Sequence, residues 1–339
     1  ANVTSISGFI DVKPDDVALS VLPLHHTFEN TAGMMFMIHS GVCIAYCEGI
    51  RHIAANLREF DITWMIGVPA IFEAILKQIN DGIKKSGAEK KVKFLSGFAN
   101  FLLKLGIDAR STVMSPVRNK FAPKMRFMAS GAASIDKETV IAYENMGIKF
   151  LQGYGLTETS PLVLATMPGK RLYGTVGHPI ANVSVTIDNP DTNGMGELLV
   201  KGENVMLGYF ENKEATDETF TDDGWLKTGD LAKFDDNDAV IITGRAKSMI
   251  VFQNGKKAFP EEYEFLLNRI DGVKDSFAWG HRESDGDVRM CAKLVTDNPG
   301  PELADYIEKE IKKLNNNIPQ YKMLRYFILS EKPIIRSTT

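Results

Sequence analysis

One segment of eight residues carries side chains suited to handling a nucleotide: Gln152–Thr159, with the sequence QGYGLTET. Its two glycines let backbone N–H groups approach phosphate oxygens, and the ring of Tyr154 can lie against a purine. The Thr157 hydroxyl can bond a phosphate, and Glu158 offers Mg²⁺ a hard oxygen ligand. The same spacing also fits a plain glycine-rich turn followed by a threonine-capped helix. Residue types alone leave both interpretations open.

Short apolar runs alternate with amphipathic stretches between Asp16 and Gly155, which predicts a mainly parallel α/β sheet. The predicted strands are Val17–Leu22, Val42–Tyr46, Ile62–Val68, Met125–Ala129 and Lys149–Gln152. The predicted helices are Ile53–Phe60, Ala70–Ile83, Phe94–Leu105 and Lys137–Met146, with Ser134 near the start of the last as its cap. The QGYGLTET segment then follows the carboxyl end of a strand, where open α/β sheets bind ligands.

The sequence changes character after residue 172. From Tyr173 to Gly244, short β-like runs are separated by Gly, Asn and Asp turns, which predicts a β-rich subdomain over 173–244. Beyond it, a short strand, a helix opened by Pro260 and the charged helix Glu302–Leu314 predict a small α+β C-terminal domain over 245–339. We therefore expect an α/β large domain over 1–172, followed by these two parts.

Five segments, in order along the chain, carry a family resemblance. The QGYGLTET loop resembles the signature loop of the adenylate-forming (AMP-binding) superfamily of acyl-CoA synthetases, luciferases and peptide-synthetase adenylation domains. Upstream, Ser130–Ser134 (SGAAS) is similar to the strand-end loop that lines the adenine and acyl sites in that family. Downstream, the resemblance continues in Trp225–Leu231 (WLKTGDL), in the hinge-like Gly244–Lys247 (GRAK), and in Asn254–Glu262 (NGKKAFPEE), which is similar to the start of the family's C-terminal domain.

The resemblance implies roles for individual residues. The implied catalytic residues are Thr157, Glu158, His26 and Lys247; Glu158 would hold Mg²⁺, and the backbone would swivel at Lys247 between two half-reactions. The implied nucleotide- and cofactor-binding residues are Gly131, Ala132, Ala133, Gln152, Gly153, Tyr154, Gly155, Thr157, Asp230, Arg245, Gly255 and Lys256. Among these, Asp230 would accept the ribose hydroxyls and Arg245 would contact the ribose.

Ordinary alternatives exist for several of these residues. Asp230 could be a turn residue of a Thr-Gly-Asp sequence, Arg245 a surface ion-pair partner of little energetic weight, and Lys247 merely solvated. The pair His25-His26 follows a predicted strand, where hydrogen-bonded structural histidines are usual, and no partners at metal spacing accompany it. The resemblance places the second histidine at the border of the acyl pocket and the thiol's route of approach.

The chain departs from the family pattern in places. Ala132 stands where a second glycine is common, and Ser248 follows the hinge lysine where an acidic residue is frequent. The family's phosphate loop would lie before Ala1, and its near-terminal Gly-Lys would follow Pro333–Thr339. We therefore expect this chain to be a fragment with a partial large domain, which folds and binds AMP weakly without turning over.

By resemblance, the parent reaction uses ATP and Mg²⁺ to convert a fatty acid to an acyl-adenylate, releasing pyrophosphate. CoA then displaces AMP to give acyl-CoA. The basic, amphipathic stretch Lys84–Lys124 resembles the long-chain fatty acid–CoA ligase group, although an ordinary surface helix pair fits it too. Alternatives are an adenylation domain that loads a carrier protein, a luciferase-like oxygenase, and a non-catalytic nucleotide-binding scaffold.

Composition limits the partners. Lys and Arg total 39 against 43 Asp and Glu, a net charge of -4, which argues against a nucleic-acid partner. The three cysteines Cys43, Cys47 and Cys291 lack paired metal spacing, so we interpret them as buried thiols of a cytoplasmic protein. No apolar run approaches the ~20 residues of a membrane-spanning helix, while peripheral membrane contact stays open. The expected partners are small molecules: a fatty acid, ATP and CoA.

Overall fold

A computed structural model describes residues 1–170, 172–253, 255–283 and 287–335. The chain divides into two compact units. The first comprises 1–228 with 232–242, and the second comprises 229–231 with 243–339.

The first unit is built on a seven-stranded sheet whose order is β2-β1-β3-β4-β5-β6-β7. Its strands are β1 (Val17–Ser20), β2 (Cys43–Tyr46), β3 (Trp64–Gly67), β4 (Phe127–Ser130), β5 (Lys149–Gly155), β6 (Leu162–Ala165) and β7 (His178–Pro179). The first five strands along the chain pair in parallel, whereas β6 pairs antiparallel with β5 and β7 antiparallel with β6. The predicted α/β fold with a large parallel sheet is confirmed.

Helices cover both faces of this sheet. They are α1 (Asn2–Ser7), a π-helical segment (Glu29–Met35) continued by α2 (Phe36–His39), α3 (Ile53–Glu59), α4 (Pro69–Lys85), α5 (Glu89–Lys104), α6 (Arg110–Val113), α7 (Ser115–Phe121) and α8 (Lys137–Asn145). Pro69 occupies the first turn of α4, as expected of a residue without an N–H. Asp136, not Ser134, caps α8, because its side chain accepts a bond from the Glu138 N–H.

Neighbouring residues of the central strands alternate between two cores, one on each face of the sheet. Met65, Met128 and Phe150 pack with Phe72 and Tyr143 on one face. On the other face, Trp64, Phe127 and Leu151 pack with Ile6 and Phe36. Burial on both faces is usual for a parallel sheet, and it keeps the carboxyl ends of the strands at fixed positions.

A second sheet has four strands in the order β11-β10-β9-β8. They are β8 (Val183–Asp188), β9 (Gly196–Gly202), β10 (Leu226–Phe234) and β11 (Val240–Arg245), with helix α9 (Lys213–Thr219) between β9 and β10. The interpretation of Thr228–Asp230 as a turn is wrong, since these residues lie inside β10. Gly229 has a φ of +72°, which a glycine adopts without strain within the strand. Most of this sheet belongs to the first unit.

The part of the second unit after β11 contains a hairpin, two helices and a three-stranded sheet of order β14-β15-β16. The elements are β12 (Ile250–Val251), β13 (Lys257–Ala258), α10 (Pro260–Leu267), β14 (Asp275–Arg282), β15 (Val288–Val295), α11 (Pro301–Asn315) and β16 (Leu324–Ser330). Their apolar side chains form a separate core, which includes Tyr263, Met290, Leu294 and Ile307. These elements confirm the predicted small α+β part at the C-terminal side, and the boundary at residue 245 stays a prediction.

A cavity of about 370 Å³ lies between α3, α4, α5 and α7 of the first unit. Its wall is mostly apolar, with Leu57, Ile79, Leu95 and Phe121 among the lining residues. Arg58, Lys91 and Lys120 line it as well.

The cysteines are only partly as predicted. All three are free, but Cys43 is exposed and Cys47 is half-buried, while Cys291 is buried. Cys43 is exposed because β2 is the edge strand of its sheet. In the described part of the chain, no helix combines the length and apolar character needed to cross a bilayer.

Candidate functional site

Two of the predicted loops leave the sheet side by side. Ser130, the last residue of β4, pairs with Gln152, and β5 continues through Gly153–Gly155. The first half of the predicted QGYGLTET loop is therefore strand, and it lies beside the start of the loop after β4. Gly131 lies against Phe28, whose ring would be 3.1 Å from a Cβ at that position. Ala132 adopts a φ of +68°, a left-handed conformation that costs a non-glycine residue roughly 1 kcal/mol. The backbone therefore keeps a glycine-like shape although alanine replaces the glycine.

Close packing requires glycine at both positions of the QGYGLTET segment, which the sequence alone did not indicate. A Cβ on Gly155 would lie 1.8 Å from the Pro161 carbonyl oxygen, and one on Gly153 would lie 2.9 Å from the Leu162 side chain. Both glycines thus allow β5 and the chain returning into β6 to approach closely. Tyr154, between them, is half-buried and packs against the apolar cluster around Val163 and Leu198.

Thr157 and Glu158 lie in a single 3₁₀ turn after β5. Thr157 is exposed and Glu158 is half-buried. The Tyr209 hydroxyl donates a hydrogen bond of 2.9 Å to Glu158 Oε1, and the Met206 N–H donates one of 2.8 Å to the Glu158 carbonyl. Partial burial, together with this bond to a carboxylate, raises the pKa of Tyr209. The Glu158 carboxylate is therefore oriented by a neutral phenol.

Two buried amides hold the end of this loop. Asn204 Nδ2 donates to the carbonyls of Thr159 (3.0 Å) and Leu162 (2.8 Å). Asn2 Nδ2 donates to the same Thr159 carbonyl (3.1 Å), and Asn2 Oδ1 accepts from the Leu162 N–H (3.0 Å). Sequence reasoning missed both asparagines and Tyr209, because these residue types are common on surfaces and only the fold shows what they contact.

The histidine pair follows β1, two strands away from β4 in the sheet. Both rings are exposed, and His26 Nδ1 accepts a hydrogen bond of 3.2 Å from the Phe28 N–H. Phe28 in turn packs beside Gly131, so the segment that carries His26 touches the loop after β4.

Glu29, next in this segment, is fully buried, and neither carboxylate oxygen has a partner with good hydrogen-bond geometry. Burial raises the pKa of Glu29, against smaller lowering effects of the Ser20 hydroxyl and the Leu22 main chain.

The remaining predicted residues belong to the second unit. Asp230, which is mostly buried, forms an ion pair with the exposed Arg245, with 3.1 Å between Oδ1 and Nε. Lys247 is exposed in a 3₁₀ turn between β11 and β12.

Two more predicted residues belong to the turn between β12 and β13. Gly255 has a φ of +73°, and Lys256 Nζ lies 4.6 Å from the centre of the Tyr321 ring. Asn254, in the same turn, lies outside the described residues, as do residues 336–339 of the predicted approach to the Gly-Lys.

A magnesium site at Glu158 would need ligands from outside the protein. Among the described residues, no group of three or more His, Cys, Asp or Glu side chains could hold a metal ion. Mg²⁺ usually keeps several waters and binds through one or two carboxylates plus substrate phosphates, so a lone oriented Glu158 fits a nucleotide-bound ion.

Known proteins resemble the chain in sequence. Residues 1–210 match the family model described as AMP-binding enzyme. Long-chain-fatty-acid–CoA ligase 1 of Homo sapiens is 30% identical over 298 residues, which cover 83% of this chain and 42% of the ligase. Long-chain-fatty-acid–CoA ligase FadD15 of Mycobacterium bovis is 31% identical over 343 residues, which cover 91% and 56%. The chain spans about half the length of the curated relatives it matches.

Solved structures resemble it in fold. ATP-bound MatB from Rhodopseudomonas palustris superposes with a TM-score of 0.75 at 23% identity, covering 99% of this chain and 60% of MatB. The O-succinylbenzoate coenzyme A synthetase of Bacillus subtilis, in complex with ATP and magnesium, gives a TM-score of 0.73 at 20% identity, covering 98% and 61%. At these identities the likeness shows a shared fold.

Proposed function

Because the chain belongs to the family of AMP-binding enzymes, we propose that it serves the ATP-dependent activation of a long-chain fatty acid. In the first step a carboxylate oxygen of the acid attacks the α-phosphorus of ATP. The bond between the α- and β-phosphates breaks, and pyrophosphate leaves. In the second step the thiol sulfur of CoA attacks the acyl carbonyl carbon, AMP leaves, and the thiol proton is released.

The observation that carries this proposal is the pairing of β4 with β5, which puts residues 131–133 beside the segment 152–158 at the carboxyl end of the parallel strands. Thr157, exposed in the turn after β5, can donate its hydroxyl proton to a phosphate oxygen. Glu158, oriented by Tyr209, would hold Mg²⁺, which when bound offsets negative charge on the phosphates. Preorganised groups of this kind lower the barrier because they need no rearrangement as charge develops.

The other predicted residues have supporting roles in the proposal. Gly131, Ala132, Ala133 and Tyr154 would border the adenine, while Asp230 and Arg245 would bind the ribose. His26 would border the acyl group and the approach of the thiol. The backbone would rotate at Lys247 after the first half-reaction and before the second. Gly255 and Lys256 would then lie near the path of the thiol in the second half-reaction.

The long-chain substrate is supported by the relatives, several of which are named long-chain-fatty-acid–CoA ligases. The helical material from α4 to α7 supports it as well, because the resemblance to that group includes this stretch. Cytoplasmic location and CoA as acceptor are part of the same proposal.

The experiment separates metal-dependent from metal-independent nucleotide binding. Titration calorimetry measures the dissociation constants of three ligands: MgATP, AMP without metal, and a non-hydrolysable palmitoyl-adenylate analogue. We expect all three to bind, with the palmitoyl analogue about tenfold or more tighter than AMP because its acyl chain buries apolar surface. Glu158→Gln should weaken MgATP binding by about tenfold and leave AMP binding unchanged, since it removes one charged ligand of the ion.

Glu203→Gln is the matched control, because Glu203 is an exposed carboxylate on the same stretch as Asn204 and Tyr209. If both substitutions weaken the binding of MgATP equally, Glu158 does not hold the metal ion. Absence of binding for all three nucleotides would remove the proposed function.

A further inference from the structure

Helix α5 presents apolar side chains on both sides. Its inward residues Val92 and Leu95 pack on the core, and Ala99 is fully buried. At roughly 100° per residue, Phe94, Phe98 and Phe101 follow one another along the opposite side, and Leu105, directly after the last helical residue, continues the series. We call these four residues the apolar stripe.

The apolar stripe is open to solvent. The exposed fractions are 71% for Phe94, 46% for Phe98, 57% for Phe101 and 62% for Leu105. Ile107, just beyond the helix, is 56% exposed. Single exposed apolar residues are ordinary, but a contiguous set of large ones on a single helix face marks an interaction surface.

Lysines border the apolar stripe. On a helical projection Lys90, Lys93 and Lys104 lie on one flank and Lys91 lies on the other. Residues 84–104 contain six lysines and one glutamate, whereas the whole chain has a net charge of -4. None of these four flanking lysines forms an ion pair with a carboxylate anywhere in the described ranges of the chain.

We propose that the apolar stripe and its flanking lysines dock α5 on the surface of a lipid bilayer that contains anionic phospholipids. Aromatic rings on one helix face enter the boundary between headgroups and acyl chains, while lysines extend their charged ends toward the headgroups. A protein covering the stripe, whether a second copy or another segment of this chain, would have to neutralise the same lysines. A second copy that docks through its own apolar stripe brings the same flanking lysines, and the like charges repel each other. The docking does not depend on the proposed reaction.

Co-sedimentation with vesicles tests the docking. The chain is mixed with vesicles of phosphatidylcholine alone or of phosphatidylcholine with phosphatidylserine. We expect partitioning onto the anionic vesicles that falls by about 10- to 100-fold in the triple variant Phe94→Ser, Phe98→Ser, Phe101→Ser, which loses three interfacial rings. Phe234→Ser, a similarly exposed phenylalanine at the end of β10, is the control and should bind as the unaltered chain does.

The lysines have a separate readout. The double variant Lys90→Gln, Lys93→Gln should weaken binding to anionic vesicles by about tenfold or more and leave binding to neutral vesicles unchanged. The reason is that each lysine near an anionic surface adds electrostatic attraction to the lipid headgroups. Added salt should reduce the binding of the unaltered chain and have less effect on the lysine variant.

A tryptophan in the apolar stripe reports insertion directly. Phe94→Trp should show a blue-shifted emission with anionic vesicles and quenching by brominated acyl chains. Quenching equal to that of the unaltered chain, or equal partitioning of the triple serine variant, would overturn the docking. So would a dimer in gel filtration that the triple variant dissociates, if it occurs without vesicle binding, since the stripe would then belong to a contact between copies.

Discussion

The loop from Gln152 to Pro161 and the outward side of α5 position their side chains by opposite means. In the loop, two almost fully buried asparagines bind the Thr159 carbonyl, and Gly155 leaves room for the Pro161 carbonyl. On α5, the outward phenylalanines are exposed, and their alignment follows from the helical repeat. Buried hydrogen bonds and close packing fix the loop, whereas the repeat of the helix alone aligns the side chains on α5.

The difference matters because the two regions would meet different partners. Transfer of the adenylyl group needs donors and charges held to within a fraction of an ångström, which buried polar contacts provide. A bilayer surface is fluid and adapts to the side chains that enter it, so a regular helix is sufficient. We therefore expect small substitutions to lower the free energy of unfolding in the loop and to change it little on α5.

The largest expected effect comes from adding one methyl group in each region. Gly155→Ala should destabilise the first unit by about 3 kcal/mol or more, because its Cβ meets a backbone carbonyl that cannot rotate away. Gly97→Ala, in α5, has no atom within 4 Å of its Cβ and should stabilise by about 0.5–1 kcal/mol through helix propensity. Urea denaturation followed by circular dichroism measures both. Two changes of the same sign would break the comparison.

The next effect tests the buried amides. Asn204→Ala removes the side-chain donor to the Leu162 carbonyl and one of the two donors to the Thr159 carbonyl, which keeps its bond from Asn2. It should cost about 2 kcal/mol, because the buried carbonyls lose hydrogen bonds. It should also weaken MgATP binding, since Glu158 precedes Thr159 in the loop. Asn193→Ala, at an exposed turn, is the control for loss of an amide. If both substitutions change the denaturation midpoint equally, the hydrogen bonds of Asn204 do not stabilise the loop more than those of an exposed amide.

The smallest effect appears only as a change with pH. Glu29 is buried without well-formed hydrogen bonds, and its pKa is raised above the ordinary 4.5. Its contribution to stability is complete below pH 4.5 and is lost as the pH rises through the raised value. Glu29→Gln cannot ionise, so its stability relative to the unaltered chain should increase as the pH rises from 4.5 to the raised pKa of Glu29. Denaturation midpoints across pH 4 to 8 measure this, with Glu203→Gln as the exposed control. A difference independent of pH would contradict burial of the charge.

Much of the fold could be predicted because its elements are strongly periodic. The ends of the five parallel strands and of helices α3, α4 and α8 lie within three residues of the prediction. Helix α5 begins at Glu89 instead of Phe94, since its first turn is charged and adds nothing to an apolar repeat. The strand β10 was missed because Thr228–Asp230 has the composition of a turn.

The site was less predictable than the fold. The QGYGLTET loop was found from residue types, and the pairing of β4 with β5 explains why the loop 131–133 lies beside it. Tyr209, which orients Glu158, lies 51 residues further along the chain, and Asn2 reaches Thr159 across 157 residues. Contacts at such separations depend on the assembled sheets, so no local pattern indicates them. The close approach of Gly155 to Pro161 is likewise visible only in the folded chain.

The cavity between α3, α4, α5 and α7 has a consequence for the heat capacity of the molecule. Its volume of about 370 Å³ is partly open to solvent, and its wall is mostly apolar. The folded chain therefore keeps hydrated apolar surface there, and such surface raises the heat capacity. An apolar molecule that fills the cavity should bind with a negative change in heat capacity.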